Sequence, residues 1–151
     1  MRVWRITRRP FQALDGEGAR LNGGRWNSEG VAVVYTSFAL SLAALEYLVH
    51  VDVEDAPADL VALEIDVPDD VPANEVRLGD LPEDWNRVED HPACAAIGDR
   101  WVRDGRALVL RVPSAVIPHE SNYLLNPKHP DAARVEVVSV RDFVFDPRLL
   151  E

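Results

Sequence analysis

The sequence predicts an α+β fold whose core is a mainly antiparallel sheet with a few flanking helices. About six or seven segments carry the hydrophobic pattern of strands, and only about two carry the pattern of main helices. Strict strand–helix–strand repeats, which would indicate a parallel sheet, are few. No internal repeat and no convincing domain boundary interrupts the chain, so we expect a single domain over residues 1–151. A chain of this length can bury roughly two-thirds of its unfolded surface.

Alternating and continuous apolar runs mark the predicted strands. Residues 2–6 alternate polar and apolar side chains, which places Arg5 on the face opposite the apolar ones. Residues 31–35 form a continuous apolar run rich in β-branched residues, as expected for a strand buried on both faces. Residues 60–67 alternate cleanly, so we expect a strand with one face in water. Further strands are predicted over residues 106–112, 135–140 and 142–145.

Two segments have the features of main helices. The first covers about residues 38–50, and the hydroxyl groups of Thr36 and Ser37 are predicted to cap its N-terminus. The second covers roughly residues 93–103 and is closed by Gly105. The predicted connections are the glycine-containing residues 14–24 and the loop of residues 68–82, which is rich in proline and acidic side chains.

Composition is typical of a soluble globular protein, with 47% hydrophobic and 28% charged residues. The single cysteine, Cys94, excludes an internal disulfide framework and suits a reducing cytosol. The sequence has no apolar span of about 18 residues, and its start lacks the apolar core of a signal peptide. We therefore expect a cytoplasmic protein that does not associate with a membrane.

Charge is negative overall and uneven along the chain. The formal net charge is −10 at pH 7, which argues against direct nucleic acid binding, since that needs a basic surface. Residues 1–26 are instead rich in arginine, and the middle of the chain is acidic. An arginine-rich end could hold a small phosphorylated ligand while the remainder repels polyanions. For Arg8, Arg9 and Arg20 taken individually, we favour simple solvation.

Residues 22–50 are where the sequence places the chemistry. Glu46 is the only carboxylate of the first predicted helix, and its neighbours three and four positions away are largely apolar. An ionised carboxylate there is costly unless a cation or a hydrogen-bond donor meets it. Arg25 and Tyr35 lie on a loop and a strand end that closely precede this helix, so the three side chains could face one cleft. A buried Arg25–Glu46 ion pair with a packed tyrosine explains the pattern equally well.

Familiar motifs of catalysis and cofactor binding are missing. The sequence contains no G-x-G-x-x-G, P-loop, G-x-S-x-G or C-x-x-C pattern. None of the 4 histidines has metal-ligand spacing, so we expect no metal. The histidines are His50, His91, His119 and His129.

Several segments together resemble the RES-domain family, the toxin half of Xre–RES toxin–antitoxin pairs. In chain order they are residues 4–6 (WRI), 22–27 (NGGRWN), 34–37 (VYTS), 44–46 (ALE), 98–101 (GDRW), 112–115 (VPSA) and 122–130 (NYLLNPKHP). The family takes its name from an arginine, a glutamate and a serine, which the resemblance places at Arg25, Glu46 and Ser114. Ser121 competes for the serine, but the proline–serine–alanine context favours Ser114. The acidic 68–90 loop has no counterpart in this resemblance.

The resemblance implies a fold like that of the ADP-ribosyltransferases and an activity that consumes NAD+ as substrate, with no further cofactor. Members of the family resemble toxins that act by hydrolysis, by phosphorolysis, or by ADP-ribosylating a protein, and the sequence leaves the acceptor open. The implied partner is a cognate Xre-family antitoxin with a helix-turn-helix domain. The sequence leaves a homo-oligomer open.

The catalytic residues implied by the resemblance are Arg25, Tyr35 and Glu46. Glu46 is expected to stabilise the positive charge that develops on the ribose as nicotinamide departs. Arg25, together with Arg5, would hold the pyrophosphate or orient Glu46, because a guanidinium matches phosphate bidentately. Tyr35 would offer its ring to the nicotinamide.

Two further residues, Ser114 and Asn122, are expected to hydrogen-bond ribose or amide groups of the substrate.

Two other functions stay open at this point. One is a module that binds NAD+ or a relative without cleaving it and acts through a partner. The other is a structural interaction domain in which Arg25 and Glu46 form a buried pair.

Overall fold

The core of the protein is a seven-stranded sheet, seen in a computed structural model that describes residues 1–89 and 91–151. The strands are β1 (Arg2–Arg8), β2 (Val34–Ser37), β3 (Leu60–Asp66), β4 (Ala73–Glu75), β5 (Val109–Pro113), β6 (Ser121–Leu125) and β7 (Glu136–Asp142). Their order is β4–β5–β6–β2–β1–β3–β7, and every neighbouring pair is antiparallel except β4 and β5. The α-helices of the described residues are α1 (Glu17–Asn22), α2 (Leu40–Leu48) and α3 (Pro92–Asp104). The predicted α+β class with a mainly antiparallel sheet is confirmed.

β1 and β3 form an extended ladder in the sheet, in which each residue of β1 is paired with a residue of β3. The alternation that predicts both strands places Val3 and Leu63 in one buried cluster. The sequence predicts that the other face of β3 lies in water, and this is wrong for part of that face. Ala62 is only 4% exposed and packs in a cluster with Ala43 of α2, because this helix covers that face. Glu64 remains half-buried.

β2 lies later in the chain than residues 31–35, because its pairing with β6 sets its limits. Thr36 and Ser37 therefore belong to the strand, and the prediction that they cap α2 is wrong. The Thr36 hydroxyl donates to a backbone carbonyl of β6, and the Ser37 hydroxyl donates to Asn122 Oδ1 at 2.7 Å. α2 begins after Ala39 without any side-chain cap.

Other boundaries differ where short elements escape the hydrophobic pattern. α1 occupies part of the predicted connection 14–24, and β4 lies inside the predicted loop 68–82. β7 is a single strand where two were predicted, over residues 135–140 and 142–145. The second predicted helix is confirmed as α3, and Gly105 closes it in the left-handed conformation with φ of 61°. Asp90, the last residue of the acidic 68–90 loop, lies outside the described residues.

α3 packs directly against the loop that carries Arg25. A Cβ atom added to Gly98 would lie 1.7 Å from the backbone oxygen of Trp26, so only glycine permits this approach. One residue further along, the Asp99 carboxylate accepts hydrogen bonds from the Ser28 backbone N–H at 2.9 Å and from its hydroxyl at 2.6 Å. α3 therefore holds the loop of residues 23–28 at two positions, Trp26 and Ser28.

Candidate active site

A cavity of about 590 Å³ lies between β1, β2, α2 and the segment of residues 16–25. Its volume is within the range of small-molecule sites. Five of the predicted site residues line it: Arg5, Arg25, Tyr35, Glu46 and Asn122. The sixth, Ser114, does not line the cavity; it is 0% exposed and contacts Glu46 from within the core.

The Glu46 carboxylate projects from the last turns of α2 and is held through one of its oxygens. Ser114 Oγ donates to Oε1 at 2.6 Å, and Asn122 Nδ2 donates to the same Oε1 at 2.6 Å. Both donors are neutral groups, so they hold the carboxylate in place without adding a positive charge beside it. Within residues 1–89 and 91–151, no hydrogen bond engages Oε2. This oxygen is therefore the one that is left for a ligand in the cavity.

Ser114 is placed by a tight turn that follows β5. Its hydroxyl oxygen accepts hydrogen bonds from the backbone N–H groups of Val116 at 3.1 Å and Ile117 at 2.9 Å, while its proton is directed to Glu46. The expected direct contact between Ser114 and substrate stays a prediction, and its complete burial favours a role in orienting Glu46. The two backbone donors were not predicted, since nothing in the side chains of those residues signals them.

Asn122 joins Glu46 to Ser37, a residue that sequence reasoning assigned to a helix cap. Asn122 and Ser37 are directly opposite each other in the β2–β6 ladder, and both are buried. The Asn122 amide donates through Nδ2 to Glu46 and accepts through Oδ1 from Ser37. The position of Ser37 beside the site follows from a pairing between distant segments, so no local signal could have found it.

Arg25 lines the cavity but does not touch Glu46. Its Nη1 donates to the backbone oxygen of Trp85 at 2.8 Å, and its Nη2 donates to that of Arg87 at 2.8 Å. The guanidinium thus ties residues 85–87 to the rim of the cavity. In the part of the chain that the structure describes, no arginine lies within 4.0 Å of the Glu46 carboxylate. The proposed alternative of a buried Arg25–Glu46 ion pair is therefore wrong.

Arg5 places a cation in the cavity with much of its hydrogen-bonding capacity unused. Its Nε is buried and has no hydrogen-bond partner within the described residues, and its Nη1 lies 3.5 Å from the Tyr35 carbonyl oxygen. Burial lowers the pKa of the Arg5 guanidinium, and the charge of Asp15 acts in the opposite direction. An arginine in this state gains more than a solvated one from an anionic ligand.

Tyr35 is held by hydrogen bonds at its hydroxyl. The hydroxyl accepts from the Trp26 backbone N–H at 3.0 Å and donates to Asn27 Oδ1 at 2.6 Å. A Cβ atom on Gly24 would lie 2.7 Å from this hydroxyl, which explains the glycine at that position. Burial raises the pKa of Tyr35, so the phenol stays protonated. The expected contact of its ring with nicotinamide stays a prediction.

Tyr35→Phe is expected to lower the free energy of unfolding by about 1–3 kcal/mol, because the Trp26 N–H and Asn27 Oδ1 lose their shared partner. Urea unfolding of the purified protein measures the change. Tyr123→Phe is the matched control, since its hydroxyl makes no hydrogen bond to the described residues, and it should change stability by less than about 0.5 kcal/mol. Equal losses in the two variants would contradict the structural role of the Tyr35 hydroxyl.

Two features are absent from the described residues. No group of three or more His, Cys, Asp and Glu side chains in residues 1–89 and 91–151 could hold a metal ion. The prediction that the protein needs no metal stays a prediction. No helix in the same residues combines the length and the hydrophobicity of a membrane span.

Known proteins resemble this chain along almost its whole length. The family model of the RES domain matches residues 2–146. A Prs ADP-ribosylating toxin of Sphingobium sp. (strain YBL2) is 40% identical over 153 residues, covering 97% of this chain and 95% of that protein. A Toxin Res of Photorhabdus laumondii subsp. laumondii is 37% identical over 157 residues, covering 100% of this chain and 98% of that protein.

A solved structure shares the fold. The crystal structure of the M. tuberculosis MbcT–MbcA toxin–antitoxin complex contains a chain that matches with a TM-score of 0.80 and 20% sequence identity. The match covers 99% of this chain and 86% of that chain. It shows that this chain has the same α+β fold as a chain of that complex.

Proposed function

We propose that this chain, which belongs to the RES-domain family, is an enzyme that cleaves the nicotinamide–ribose bond of NAD+ and acts as the toxin of a toxin–antitoxin pair. The observation that carries the proposal is the Glu46 carboxylate in the cavity, held by two donors at Oε1 with Oε2 left for a ligand. A carboxylate held in this way can face a transient cation, and Arg5 in the same cavity can face a phosphate.

The reaction breaks the bond between ribose C1′ and the nicotinamide nitrogen, and the electron pair of that bond leaves with nicotinamide. Nicotinamide departs as a neutral molecule, so no general acid has to protonate it. Positive charge develops on the ribose, as in glycoside hydrolysis. Glu46 supports this step by its negative charge and by accepting a hydrogen bond from a ribose hydroxyl at Oε2. An acceptor with a lone pair then forms the new bond to C1′, and a water or hydroxyl acceptor releases its proton to the solvent.

The arginines serve the anionic part of the substrate. Arg5, whose buried Nε has no hydrogen-bond partner within the described residues, binds the pyrophosphate. Arg25 lies at the rim and binds a phosphate oxygen while its two carbonyl partners keep residues 85–87 beside the cavity. Tyr35 presents its ring to the nicotinamide, and Asn122 and Ser114 hold Glu46 in place for the ribose.

The acceptor of the ADP-ribosyl group is water, phosphate or a protein side chain. Transfer to a protein is supported by the Sphingobium relative, which is named an ADP-ribosylating toxin and is 40% identical to this chain. No metal and no cofactor besides the NAD+ substrate takes part. Incubating the purified protein with NAD+, with and without phosphate, separates the outcomes by their products: ADP-ribose, a phosphorylated ADP-ribose, or a labelled protein.

The partner is a cognate antitoxin of the Xre family, with a helix-turn-helix domain that supplies the DNA binding this acidic chain lacks. A toxin–antitoxin complex among the structures of the same fold supports this partnership. The toxin acts in the cytoplasm, where NAD+ is available. Induced expression in a bacterium should stop growth and deplete NAD+, and co-expression of the antitoxin should reverse both effects. Unchanged growth with unchanged NAD+ would reject the toxin function.

Arg25→Lys is expected to lower kcat/KM for NAD+ cleavage by about tenfold or more, because one ammonium cannot replace the two-pronged contact with residues 85–87 and also meet a phosphate. The same change should speed proteolytic cleavage within residues 85–89, since it loosens that segment. Arg87→Lys is the control, because the Arg87 side chain is exposed and its ion pair within the described residues is with Asp84. Native kinetics in Arg25→Lys would remove Arg25 from substrate binding.

A further inference from the structure

A buried chain of polar side chains runs from Ser37 to the carboxylate of Glu46. Ser37 Oγ donates to Asn122 Oδ1 at 2.7 Å, and Asn122 Nδ2 donates to Glu46 Oε1 at 2.6 Å. Ser37 is 3% exposed and Asn122 is 9% exposed. These two hydrogen bonds therefore form with little competition from water, which strengthens them and makes the loss of either partner costly.

The negative charge of Glu46 determines the direction of hydrogen-bond donation in this series of side chains. An ionised carboxylate only accepts hydrogen bonds, so the Asn122 amide must turn its N–H to Glu46 and its oxygen away. That oxygen then meets the Ser37 hydroxyl, which has a proton to give. With the amide reversed, Oδ1 would face Oε1 and two acceptors would lie in contact. Ser37 therefore favours the one amide orientation that supports the charge of Glu46.

The second donor to Oε1 is arranged in the same way. The Ser114 hydroxyl accepts from the backbone N–H groups of Val116 and Ile117, which leaves its proton for Glu46. Both donors converge on Oε1 from buried positions, and both are themselves oriented by a further contact. Among the described residues, the carboxylate is thereby held at Oε1 and has no hydrogen bond at Oε2.

We propose that Ser37 is a positioning residue for the reaction, acting through Asn122 to hold Oε1 of Glu46 so that Oε2 faces the cavity. This inference rests on the proposed function, because it assumes that Glu46 supports bond cleavage. Ser37 does not need to touch the substrate. Its hydroxyl contributes by reducing the freedom of the Asn122 amide, and a misdirected carboxylate loses its geometry toward the ribose.

The test compares NAD+ cleavage by purified wild-type, Ser37→Ala, Asn122→Ala and doubly substituted proteins. Ser37→Ala should lower kcat by about tenfold, the size expected for one lost orienting hydrogen bond, and should change KM by less than about threefold. Because Ser37 acts through Asn122, adding Ser37→Ala to Asn122→Ala should cause no further loss. Independent, additive losses or a native kcat in Ser37→Ala would overturn the proposal.

Asn126→Ala controls for stability alone. Asn126 directly follows β6 and is also buried, and its side-chain oxygen accepts from the Lys128 backbone N–H rather than from a member of this network. It should lower the free energy of unfolding at least as much as Ser37→Ala while leaving kcat unchanged. If both variants lost kcat in proportion to stability, Ser37 would be a structural residue only.

A second measurement is independent of activity. In a ¹⁵N-labelled protein, the side-chain N–H protons of Asn122 should exchange slowly with solvent in the wild type and at least tenfold faster in Ser37→Ala. Unchanged exchange would reject the role of Ser37 in holding the amide, whether or not the protein cleaves NAD+. Faster exchange in Ser37→Ala than in the wild type, together with a wild-type protein that releases no nicotinamide, would support the network and reject the proposed function.

Discussion

Glu46→Gln is expected to lower the rate of NAD+ cleavage by about 10²–10³-fold while the fold is retained. The glutamine oxygen can occupy the place of Oε1 and keep the hydrogen bonds from Ser114 and Asn122. Its amide nitrogen then occupies the place of Oε2, where it presents a donor and no charge to the ribose. The substitution therefore removes the stabilisation of the developing cation and little else. Nicotinamide release under saturating NAD+ measures the loss in kcat.

The control for this experiment is Glu64→Gln, which neutralises a half-buried carboxylate on β3 that lies near Arg2 rather than in the cavity. It should leave nicotinamide release within about twofold of the wild type. Urea unfolding of both variants checks that the loss in Glu46→Gln is not a loss of fold. A Glu46→Gln protein that releases nicotinamide at the wild-type rate would exclude Glu46 from the mechanism.

Gly98→Ala is expected to lower the free energy of unfolding by about 3 kcal/mol. The added methyl group would lie 1.7 Å from the backbone oxygen of Trp26, and backbone cannot move aside as the end of a flexible side chain can. α3 would have to separate from the loop of residues 23–28. Because that loop carries Arg25 and the partners of Tyr35, the folded fraction should also lose activity.

Gly18→Ala makes the same chemical change in α1, where a Cβ atom would meet nothing within 4 Å. Its stability should be unchanged or higher by up to about 1 kcal/mol, because alanine favours a helix over glycine. Denaturant titrations of both variants give the comparison. If Gly98→Ala were as stable as Gly18→Ala, the close approach of α3 to Trp26 would not exist in solution.

Those parts of the fold that depend on nearby residues could be predicted from the sequence. The alternation in β1 and β3 reports one buried face directly, and α3 is marked by its apolar stripe and by Gly105. The limits of β2 could not be predicted, because its pairing with β6 joins segments far apart in the chain. Hydroxyl groups before a helix predict a cap, and here that local preference is overridden by the sheet.

The candidate site divides in the same way. Glu46 and Arg5 could be singled out, because a lone carboxylate on an apolar helix face and an arginine on a half-buried strand are visible in the residues themselves. The contact of Ser114 with Glu46 depends on a turn after β5, and the two partners of Arg25 are backbone oxygens of a distant loop. Partners that are backbone groups cannot be recognised from the sequence of side chains. The alternative in which Arg25 pairs with Glu46 is therefore wrong.

The most direct test of the central claim is nicotinamide release from NAD+ by the purified wild-type protein, followed over time at a fixed protein concentration. If water or phosphate is the acceptor, the account predicts steady release of nicotinamide well beyond one equivalent per protein. If a protein is the acceptor, nicotinamide release should keep pace with labelling of the added protein target. Two results together would contradict this account: NAD+ stays intact after prolonged incubation with phosphate and with bacterial lysate, and NAD+ stabilises the protein against unfolding. The protein would then be a module that binds NAD+ without cleaving it.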